Sequence, residues 1–293
     1  MLEINALSPE TAEAYRQFTY RSYKDWLVKP EAGSDSGERN IALGASFMGQ
    51  PVGLLLVHPP TKDELARVLS IFVGGSFRNL GIGAALMKEL RASIERNRWK
   101  QACIEYYALN NYKALERVLA KSDWQLPEVY SRYYRCDISV GRDSRWIQRF
   151  KLPARCRVIP WNELQRDELM AMNSLQEKDF DAYFAPLHAE STIDCSCSLV
   201  LKIDDEIVGW SIVDRELKDT LLYRALYIRE SYRDQGLGLA LAAQTAQRVS
   251  RSDATYLVIQ ILSRNERMRK VADRLLMPMQ PVVTEYKRAV LDL

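Results

Sequence analysis

The sequence predicts an α/β protein made of two similar domains, and two observations support this prediction. Strand-like apolar runs alternate with amphipathic stretches of helical period along all 293 residues, a length that suits two domains. The two halves also repeat each other. Three aligned pairs are separated by nearly one distance: Gly53 and Gly209 by 156 residues, Arg78 and Arg233 by 155, and Asn111 and Asn265 by 154. We therefore predict a duplicated domain, with copies at residues 1–145 and 146–293.

Hydrophobic periodicity predicts the elements of the first copy. In chain order they are a helical region at 8–28, a hairpin of strands at 40–47 and 51–58, a buried strand at 65–73, a helix at 82–96, a strand at 101–107 and a helix at 111–121. The segment from Pro30 to Asn40, rich in Gly and Ser, is a loop inside this copy.

The second copy follows the same order. Its predicted elements are a strand at 156–161, a mostly helical region at 162–184, a hairpin at 198–203 and 206–214, a strand at 220–228, a helix at 237–250, a strand at 255–261, a helix at 265–276 and a last strand at 282–290. Residues 140–155 lack clear periodicity, so we place the break between the copies there.

The composition argues against several classes of function. Lys and Arg total 41 and Asp and Glu 38, a formal net charge of +3, so we expect neither a nucleic-acid nor a membrane partner. The start, MLEINALSPETAEAY, lacks the pattern of a signal peptide, and we expect a cytoplasmic protein. Five scattered cysteines and two histidines predict neither a disulfide framework nor a metal site.

A Gly-rich turn between a strand and a helix occurs once in each copy. Such a turn suits a phosphate, because backbone N–H groups and the helix dipole point at an anion. The Rossmann pattern needs a small third residue, but Leu86 and Leu241 stand there, and neither copy has the G-K-[ST] of a P-loop. Both of these nucleotide sites are therefore disfavoured.

The remaining pattern, R-x-x-G-x-G after a strand with an Asn-led helix one strand later, resembles the GCN5-related N-acetyltransferase (GNAT) superfamily in both copies. The matching residues are Arg78, Asn79, Leu80, Gly81, Ile82, Gly83 and Ala84 in the first copy, and Arg233, Asp234, Gln235, Gly236, Leu237, Gly238 and Leu239 in the second. The resemblance covers most of each half. It implies two tandem GNAT domains with mixed sheets.

The resemblance also implies the cofactor and its contacts. In the family the amides of this turn bind the pyrophosphate of coenzyme A, and glycine allows a close approach. The preceding strand, ending at Phe72 and Val73 or at Ile228, is expected to splay from its neighbour and receive the pantetheine arm. The amide of Val73 or Ile228 would then polarise the thioester carbonyl of acetyl-coenzyme A. Asn111 and Asn265 join the predicted cofactor site.

Attack on a thioester requires a neutral amine, so a base is useful. CIEYYALN resembles the family segment whose Glu often serves as general base, which assigns that role to Glu105, whereas the second copy has Gln260. The family's acid Tyr is replaced by Val118 and Ala272. Tyr107 and Tyr286 are weaker candidates for the acid.

The first copy is favoured as catalytic, although tandem members commonly have one active and one degenerate domain. Segments before the hairpins are candidates for the acceptor pocket, where acids and aromatics suit a cationic amine. In the second copy these residues are Glu177, Asp179, Phe180, Asp181, Tyr183, Phe184 and Glu190, with His188 as a further base candidate, and in the first copy Tyr15, Phe18, Tyr20, Tyr23 and Trp26.

The sequence thus predicts an acetyl-coenzyme A dependent N-acetyltransferase that acts on an amine of a small molecule or peptide by direct attack. Two alternatives stay open. One is a transferase of the same fold that uses aminoacyl-tRNA, and the other is a non-catalytic sensor or scaffold that binds coenzyme A.

Overall fold

The structure, a computed structural model, describes residues 1–28, 40–61, 64–110, 112–142, 144–174, 185–186 and 192–293. The chain divides into two compact units. Unit 1 consists of Met1–Tyr130 and Glu285–Leu293, and unit 2 of Ser131–Thr284. Each is an α/β unit with a mixed sheet, which confirms the predicted fold class.

The described elements have the following bounds. The strands are β1 (Leu2–Ala6), β2 (Ile41–Phe47), β3 (Gln50–His58), β4 (Leu65–Val73), β5 (Gln101–Tyr107), β6 (Glu128–Asp137), β7 (Cys156–Pro160), β8 (Leu199–Ile203), β9 (Glu206–Leu217), β10 (Thr220–Ile228), β11 (Tyr256–Leu262) and β12 (Val282–Asp292). The α-helices are α1 (Pro9–Ala12), α2 (Lys24–Val28), α3 (Ile82–Arg96), α4 (Tyr112–Ala120), α5 (Ile138–Gly141), α6 (Arg145–Arg149), α7 (Arg166–Ser174), α8 (Leu237–Val249) and α9 (Glu266–Leu276).

The sheet of unit 1 has the strand order β1-β2-β3-β4-β5-β12. Only β4 and β5 are parallel neighbours, as expected when α3 connects them. One face of the sheet buries the apolar side of α3, including Leu86 and Leu90. The other face packs against the N-terminal helical segment through Tyr15 and Phe18.

The sheet of unit 2 has the order β6-β11-β10-β9-β8-β7, with β10 and β11 parallel and the other neighbours antiparallel. Leu237 and Leu241 of α8 are buried on one face. On the other face Met172 of α7 packs with Trp210 and Tyr227. The two units therefore share one arrangement of elements around their parallel strand pair.

The sheet of each unit ends in a strand whose sequence belongs to the other predicted copy. β12 pairs with β5 in unit 1, and β6 pairs with β11 in unit 2. The bounds of the two units therefore differ from those of the predicted copies at residues 1–145 and 146–293. The copies stay a prediction about where the duplicated sequence divides. The partner of a strand is set by long-range pairing, which local periodicity does not encode.

Several elements differ from the sequence prediction in detail. The region 8–28 is helical in pieces, since 3₁₀ turns at Glu13–Phe18 and Arg21–Tyr23 lie between α1 and α2. The strands β1 and β6 were not predicted, and the unpatterned break contains the short helices α5 and α6. Among the described residues, no helix combines the length and the apolar character that crossing a membrane requires.

Candidate active site

In each unit a β-bulge opens a cleft between the two parallel strands. The pairing of β4 with β3 skips Leu69, and the pairing of β10 with β9 skips Arg224, at matching positions. The ladder from β4 to β5 runs only as far as Val68 and Ile104, although β4 continues to Val73. A bulge bends and twists its strand. The strand pair therefore diverges immediately after it.

The same cleft forms in unit 2, where the ladder between β10 and β11 ends at Tyr223 and Ile259. We call the last ladder pair the apex of the cleft. From the apex to the end of β10 the backbone runs five residues, about 16 Å at ~3.3 Å per residue. The strands thus splay as the family resemblance implies.

The amides of Val73 and Ile228 point into these clefts. Gly74 N–H donates to the carbonyl of Val52 over 2.8 Å, and Arg229 N–H donates to that of Val208 over 2.8 Å. Both of these bonds point to the antiparallel neighbour strand. Because successive amides of a strand alternate in direction, the preceding amides face the opposite edge.

The arginine of each R-x-x-G-x-G motif ties the loop to the end of its strand. Arg78 Nε donates to the carbonyl of Val73 over 3.2 Å, and Arg233 Nε donates to that of Ile228 over 3.0 Å. The guanidinium carbons also lie 5.6 Å and 5.9 Å from the ring centres of Phe72 and Tyr227. The family resemblance predicts both arginines at the cofactor but not this positioning role, for which the repeat of the motif is the signal in the sequence.

Left-handed backbone shapes the turns before α3 and α8. The φ angles are 64° at Asn79 and 80° at Gly81, and 64° at Asp234 and 77° at Gly236. A Cβ added at Gly81 or Gly236 would have no heavy atom within 4 Å, so the local φ angle is what requires glycine there. Gly83 differs, because its added Cβ would lie 3.3 Å from Val118 Cγ2 on α4.

The N-termini of α3 and α8 present backbone N–H groups beside the clefts. The first helical bonds are donated by Ala85 to Gly81 and by Ala240 to Gly236, over 3.0 Å and 3.2 Å. The preceding amides have no acceptor within the helix and favour an anion. They belong to Ile82, Gly83 and Ala84 in unit 1, and to Leu237, Gly238 and Leu239 in unit 2.

The turn of unit 2 carries side-chain contacts of its own. Asp234 forms an ion pair with Arg267 of α9 at 2.6 Å, and Gln235 accepts a hydrogen bond from Arg155 at 2.9 Å. Asn265 caps α9 by accepting a 3.0 Å bond from Met268 N–H. Its carboxamide oxygen is thus committed to the helix. Asn111, its predicted counterpart, lies outside the described residues.

Glu105, the predicted base, lies on β5 opposite Arg288 of β12. Arg288 Nε donates to Glu105 Oε1 over 2.6 Å, and the Tyr286 hydroxyl donates to Oε2 over 3.2 Å. The guanidinium of Arg288 also stacks 4.1 Å from the ring centre of Tyr130. Each carboxylate oxygen therefore has a partner, and Arg288 and Tyr130 are site residues that sequence reasoning missed.

The two candidate acids lie together beside Glu105. The rings of Tyr107 and Tyr286 are 4.8 Å apart. Burial raises the pKa of Tyr286, and the neighbouring charge of Glu105 raises it further. Tyr286 therefore keeps its proton at neutral pH and acts as a hydrogen-bond donor to the carboxylate. In unit 2 the amide of Gln260 donates instead to Ser131 over 3.1 Å.

Aromatic side chains line the same face of unit 1. Phe18 lies 5.9 Å from Phe72, Tyr23 lies 5.9 Å from Trp26, and Trp26 lies 5.4 Å from His58. Phe72 is 41% exposed. This arrangement places Phe18 beside the strand that ends at Val73, and Trp26 beside His58 at the end of β3.

The matching face of unit 2 is filled instead. Trp210 and Tyr227 stack at 4.1 Å and are 0% and 5% exposed. Arg224, the bulge residue, forms a buried ion pair with Asp214 and donates to the carbonyl of Ala185 over 2.8 Å. The acceptor residues predicted for the second copy, Glu177, Asp179, Phe180, Asp181, Tyr183, Phe184, His188 and Glu190, lie outside the described residues.

A family model described as the acetyltransferase (GNAT) family matches residues 3–115 and 155–276. The chain belongs to the GNAT family. The two matches confirm the predicted tandem arrangement of GNAT domains. A search of curated proteins finds no match for this chain.

Solved GNAT structures share the fold over the whole chain. A tandem GNAT protein from the clavulanic acid biosynthesis pathway superimposes with a TM-score of 0.66 at 14% identity, covering 100% of this chain and 98% of its own. A GCN5-related N-acetyltransferase from Sphaerobacter thermophilus gives 0.65 at 15% identity, covering 99% and 95%. At these identities the likeness concerns the tandem fold.

Proposed function

We propose that the chain is an acetyl-coenzyme A dependent N-acyltransferase that transfers an acyl group to an amine of a small molecule or peptide. One observation carries the proposal. A β-bulge, a cleft between the parallel strands, a backbone amide that points into the cleft and a helix N-terminus with free N–H groups occur together in each of the two units. This set fits a long, thin ligand with phosphate at one end, because the cleft offers backbone groups and the helix start offers free N–H donors.

The residues of the chain would bind and orient the cofactor. The first-turn amides of α3 and α8 hold the pyrophosphate, while the arginines Arg78 and Arg233 keep each turn on its strand. Acetyl-coenzyme A would supply a thioester: the amine nitrogen bonds to its carbonyl carbon, the C–S bond breaks, and coenzyme A leaves as a thiolate that takes up a proton. The amide of Val73 or Ile228 donates a hydrogen bond to the carbonyl oxygen as negative charge develops there. Attack is direct, without a covalent enzyme intermediate.

We assign the chemistry to unit 1, where Glu105 takes the proton of the amine, directly or through water. A carboxylate has about four lone-pair positions, so the bonds from Arg288 and Tyr286 leave sites for a further donor. The open aromatic face beside Phe72 suits an organic amine through cation–π contact. Unit 2 has Gln260 at this position, which cannot act as a base.

A second candidate is a coenzyme A binding protein without catalysis. The ion pair of Glu105 with Arg288 favours it, as does the presence of Val118 and Ala272 where the family's acid Tyr is expected. Both candidates use the same cofactor cleft and differ only in turnover.

The test measures thiol release from acetyl-coenzyme A with a panel of small amines and peptides. Gly81→Val and Gly236→Val each place a β-branched residue at a left-handed position and disturb one cofactor turn. Gly49→Val is the matched control, because Gly49 has a φ of 78° and equally open space but lies in the β2–β3 hairpin.

We expect Gly81→Val to lower kcat/KM at least about tenfold, the equivalent of ~1.4 kcal/mol, and Gly49→Val to leave it unchanged. Loss of turnover with Gly236→Val alone would move the chemistry to unit 2 and refute the role of Glu105. Tight binding of coenzyme A without thiol release for any amine would establish the non-catalytic alternative.

A further inference from the structure

Aromatic side chains stand on both strands that form the cleft of unit 1. Phe72 belongs to β4 and Tyr107 to β5, and both lie beyond the apex formed by Val68 and Ile104. Phe72 is 41% exposed and Tyr107 is 46% exposed. Exposed apolar groups beside a cleft are typical of a surface that binds a ligand.

The two rings lie on the same face of the sheet as the predicted base. Ile104 is buried in the core beneath α3, and side chains of a strand alternate between its faces, so Glu105 and Tyr107 lie on the opposite face. Phe72 lies 5.9 Å from Phe18 of the N-terminal segment, which packs on that opposite face. Each strand of the cleft therefore carries an aromatic ring on the side of Glu105.

Further tyrosines extend this aromatic surface next to Glu105. The ring of Tyr286 on β12 lies 4.8 Å from that of Tyr107 and 6.5 Å from that of Tyr130 on β6. Burial raises the pKa of Tyr286, and Glu105, Tyr107 and Tyr23 add to the shift, so Tyr23 of the N-terminal segment also lies close to it. Rings from three strands and the N-terminal segment thus meet beside the carboxylate.

Unit 2 has other residues at the positions of the ring pair. By the offset of 155 residues, Tyr107 corresponds to Leu262. Leu262 is paired with Ser131 of β6, whereas Tyr107 is paired with Tyr286 of β12. The sheet forms in both units, so the fold does not require these rings. They are a specific feature of unit 1.

The charges at this place favour an amine that carries a single positive charge. Arg288 forms an ion pair with Glu105, and its guanidinium stacks on the ring of Tyr130. A positive charge is therefore held beside the carboxylate that the amine would approach. Like charges repel, so a second ammonium group on the acceptor is disfavoured. An aromatic ring on the acceptor instead gains contact with the tyrosines.

We propose that the acceptor of unit 1 is an arylalkylamine, whose ring packs on Tyr107 and Phe72 while its nitrogen reaches Glu105. The inference rests on the proposed function, because it takes Glu105 as the base of unit 1. At ~3.3 Å per residue, positions two apart on one strand face are separated by ~6.6 Å. A chain of two carbons between ring and nitrogen covers most of this distance, so a 2-arylethylamine fits best.

The experiment measures thiol release from acetyl-coenzyme A by the wild-type chain with 2-phenylethylamine, 2-cyclohexylethylamine, ethylamine and 1,3-diaminopropane. Ethylamine lacks the ring, the cyclohexyl amine keeps its bulk without π electrons, and the diamine adds a second charge. We expect kcat/KM for the phenyl amine to exceed that for ethylamine on the order of 10–100-fold, because the ring is buried. It should exceed that for the cyclohexyl amine about two- to tenfold, because the rings stack. The diamine should be the poorest acceptor.

Two variants each remove one ring: Phe72→Leu, and Tyr107→Leu, which introduces the residue of unit 2. The readout is the ratio of kcat/KM for the phenyl amine to that for ethylamine within each variant. This ratio cancels any change in cofactor binding or in the chemical step that both amines share. We expect each variant to lower the ratio at least about threefold.

Two further variants are controls for the ring. Tyr107→Phe keeps the ring without the hydroxyl and should keep the ratio. Phe47→Leu removes a ring that is also exposed, at 37%, but lies 6.1 Å from Phe77, which packs on the core beneath α3. It should leave the ratio unchanged.

Several outcomes would overturn the inference and leave the proposed function standing. They are equal kcat/KM for the phenyl amine and ethylamine, equal values for the phenyl and cyclohexyl amines, preference for the diamine, or a ratio that neither Phe72→Leu nor Tyr107→Leu lowers. Thiol release with other amines of the wider panel but not with 2-phenylethylamine has the same meaning. Absence of thiol release with every amine and peptide would overturn the proposed function as well.

Discussion

The two units share the Gly-rich turns before α3 and α8 but differ in the side chains around them. In both, the bulge, the cleft, the arginine that holds the strand end and the left-handed glycine recur at matching positions. In unit 1 Phe72 is 41% exposed, and Met87 and Leu90 of α3 are buried. In unit 2 Trp210 and Tyr227 are buried, and an apolar cavity of about 100 Å³ lies between α8 and α9. The two units thus share the backbone geometry of the cleft and the turn, but their side-chain packing differs.

The difference indicates what each part of the fold requires. The positive φ angles of the turns require glycine at Gly81 and Gly236, and both copies have kept it. Apolar packing tolerates exchange as long as the unit stays stable. Each unit therefore keeps the backbone geometry that we propose binds coenzyme A, while the side chains around it differ.

The largest expected effect concerns the buried ion pair of unit 2, which has no equivalent in unit 1. Arg224 and Asp214 are 1% and 4% exposed, and the corresponding residues are Leu69 and His58. Asp214→Asn leaves a buried guanidinium without its countercharge and should lower the free energy of unfolding by about 3–5 kcal/mol. Urea denaturation measures it. The double variant Asp214→Leu/Arg224→Met should lose less, and an equal or larger loss would argue that the pair itself stabilises unit 2.

The second prediction contrasts Glu105 with Gln260. If Glu105 accepts the proton of the amine, Glu105→Gln should lower kcat by about 10²–10⁴-fold. Gln260→Ala, the control in unit 2, should leave kcat unchanged. Steady-state kinetics as a function of pH measures both. An unchanged kcat for Glu105→Gln together with a lower melting temperature would show that Glu105 serves only as the partner of Arg288.

The third prediction concerns pH and Asp194, a nearly buried carboxylate of unit 2. Burial raises its pKa, but hydrogen bonds from Ser196, Arg215 and the Cys197 amide outweigh this effect and hold the pKa below the usual value. The stabilisation is therefore complete above the unfolded pKa of ~3.9 and is lost as the pH falls through the lower folded value.

Asp194→Asn should cost about 1.5–3 kcal/mol at pH 7, because bonds to a charged group are replaced by bonds to a neutral one. The gap between variant and wild type should narrow as the pH is lowered from 5 to 2, measured by denaturation at each pH. A gap that stays constant over this range would refute the assignment of the lowered pKa to Asp194.

The smallest expected effect tests the asparagine that begins α9. Asn265→Ala removes a helix cap and should cost about 1 kcal/mol of stability, with the affinity for coenzyme A unchanged. Denaturation and calorimetry on the same preparation measure the two quantities. A parallel loss of affinity for coenzyme A would instead support the cofactor role that the family resemblance predicts for Asn265. The same variant at Asn111 would then show whether both copies use this asparagine.

Much of the fold followed from the sequence because the signals were local. The hairpins, the helices α3, α8 and α9 and both Gly-rich turns were predicted near their observed bounds, since periodicity and turn residues act over a few positions. The strand β6 was missed. Its sequence, EVYSRYYRCD, alternates poorly, and its partner β11 lies more than a hundred residues away.

The predicted base Glu105 shows the same contrast between a local sequence signal and long-range contacts. Glu105 was found from a short motif, but its partners Arg288 and Tyr286 are 183 and 181 residues away in sequence. The sequence also indicates Phe18 as a candidate residue of the acceptor pocket, whereas its position 5.9 Å from Phe72 is set by tertiary packing. An apolar cavity of about 100 Å³ in unit 2 likewise depends on residues from four α-helices and three strands.

By itself the sequence determined the duplication and the turns, because a glycine at a left-handed position and an apolar period act through the local backbone. Only the tertiary structure decided that β12 completes unit 1 and brings an arginine and a tyrosine to Glu105, and that an apolar cavity lies between α8 and α9 in unit 2. Strand pairing and packing join residues distant in the chain, where no local pattern records the partner.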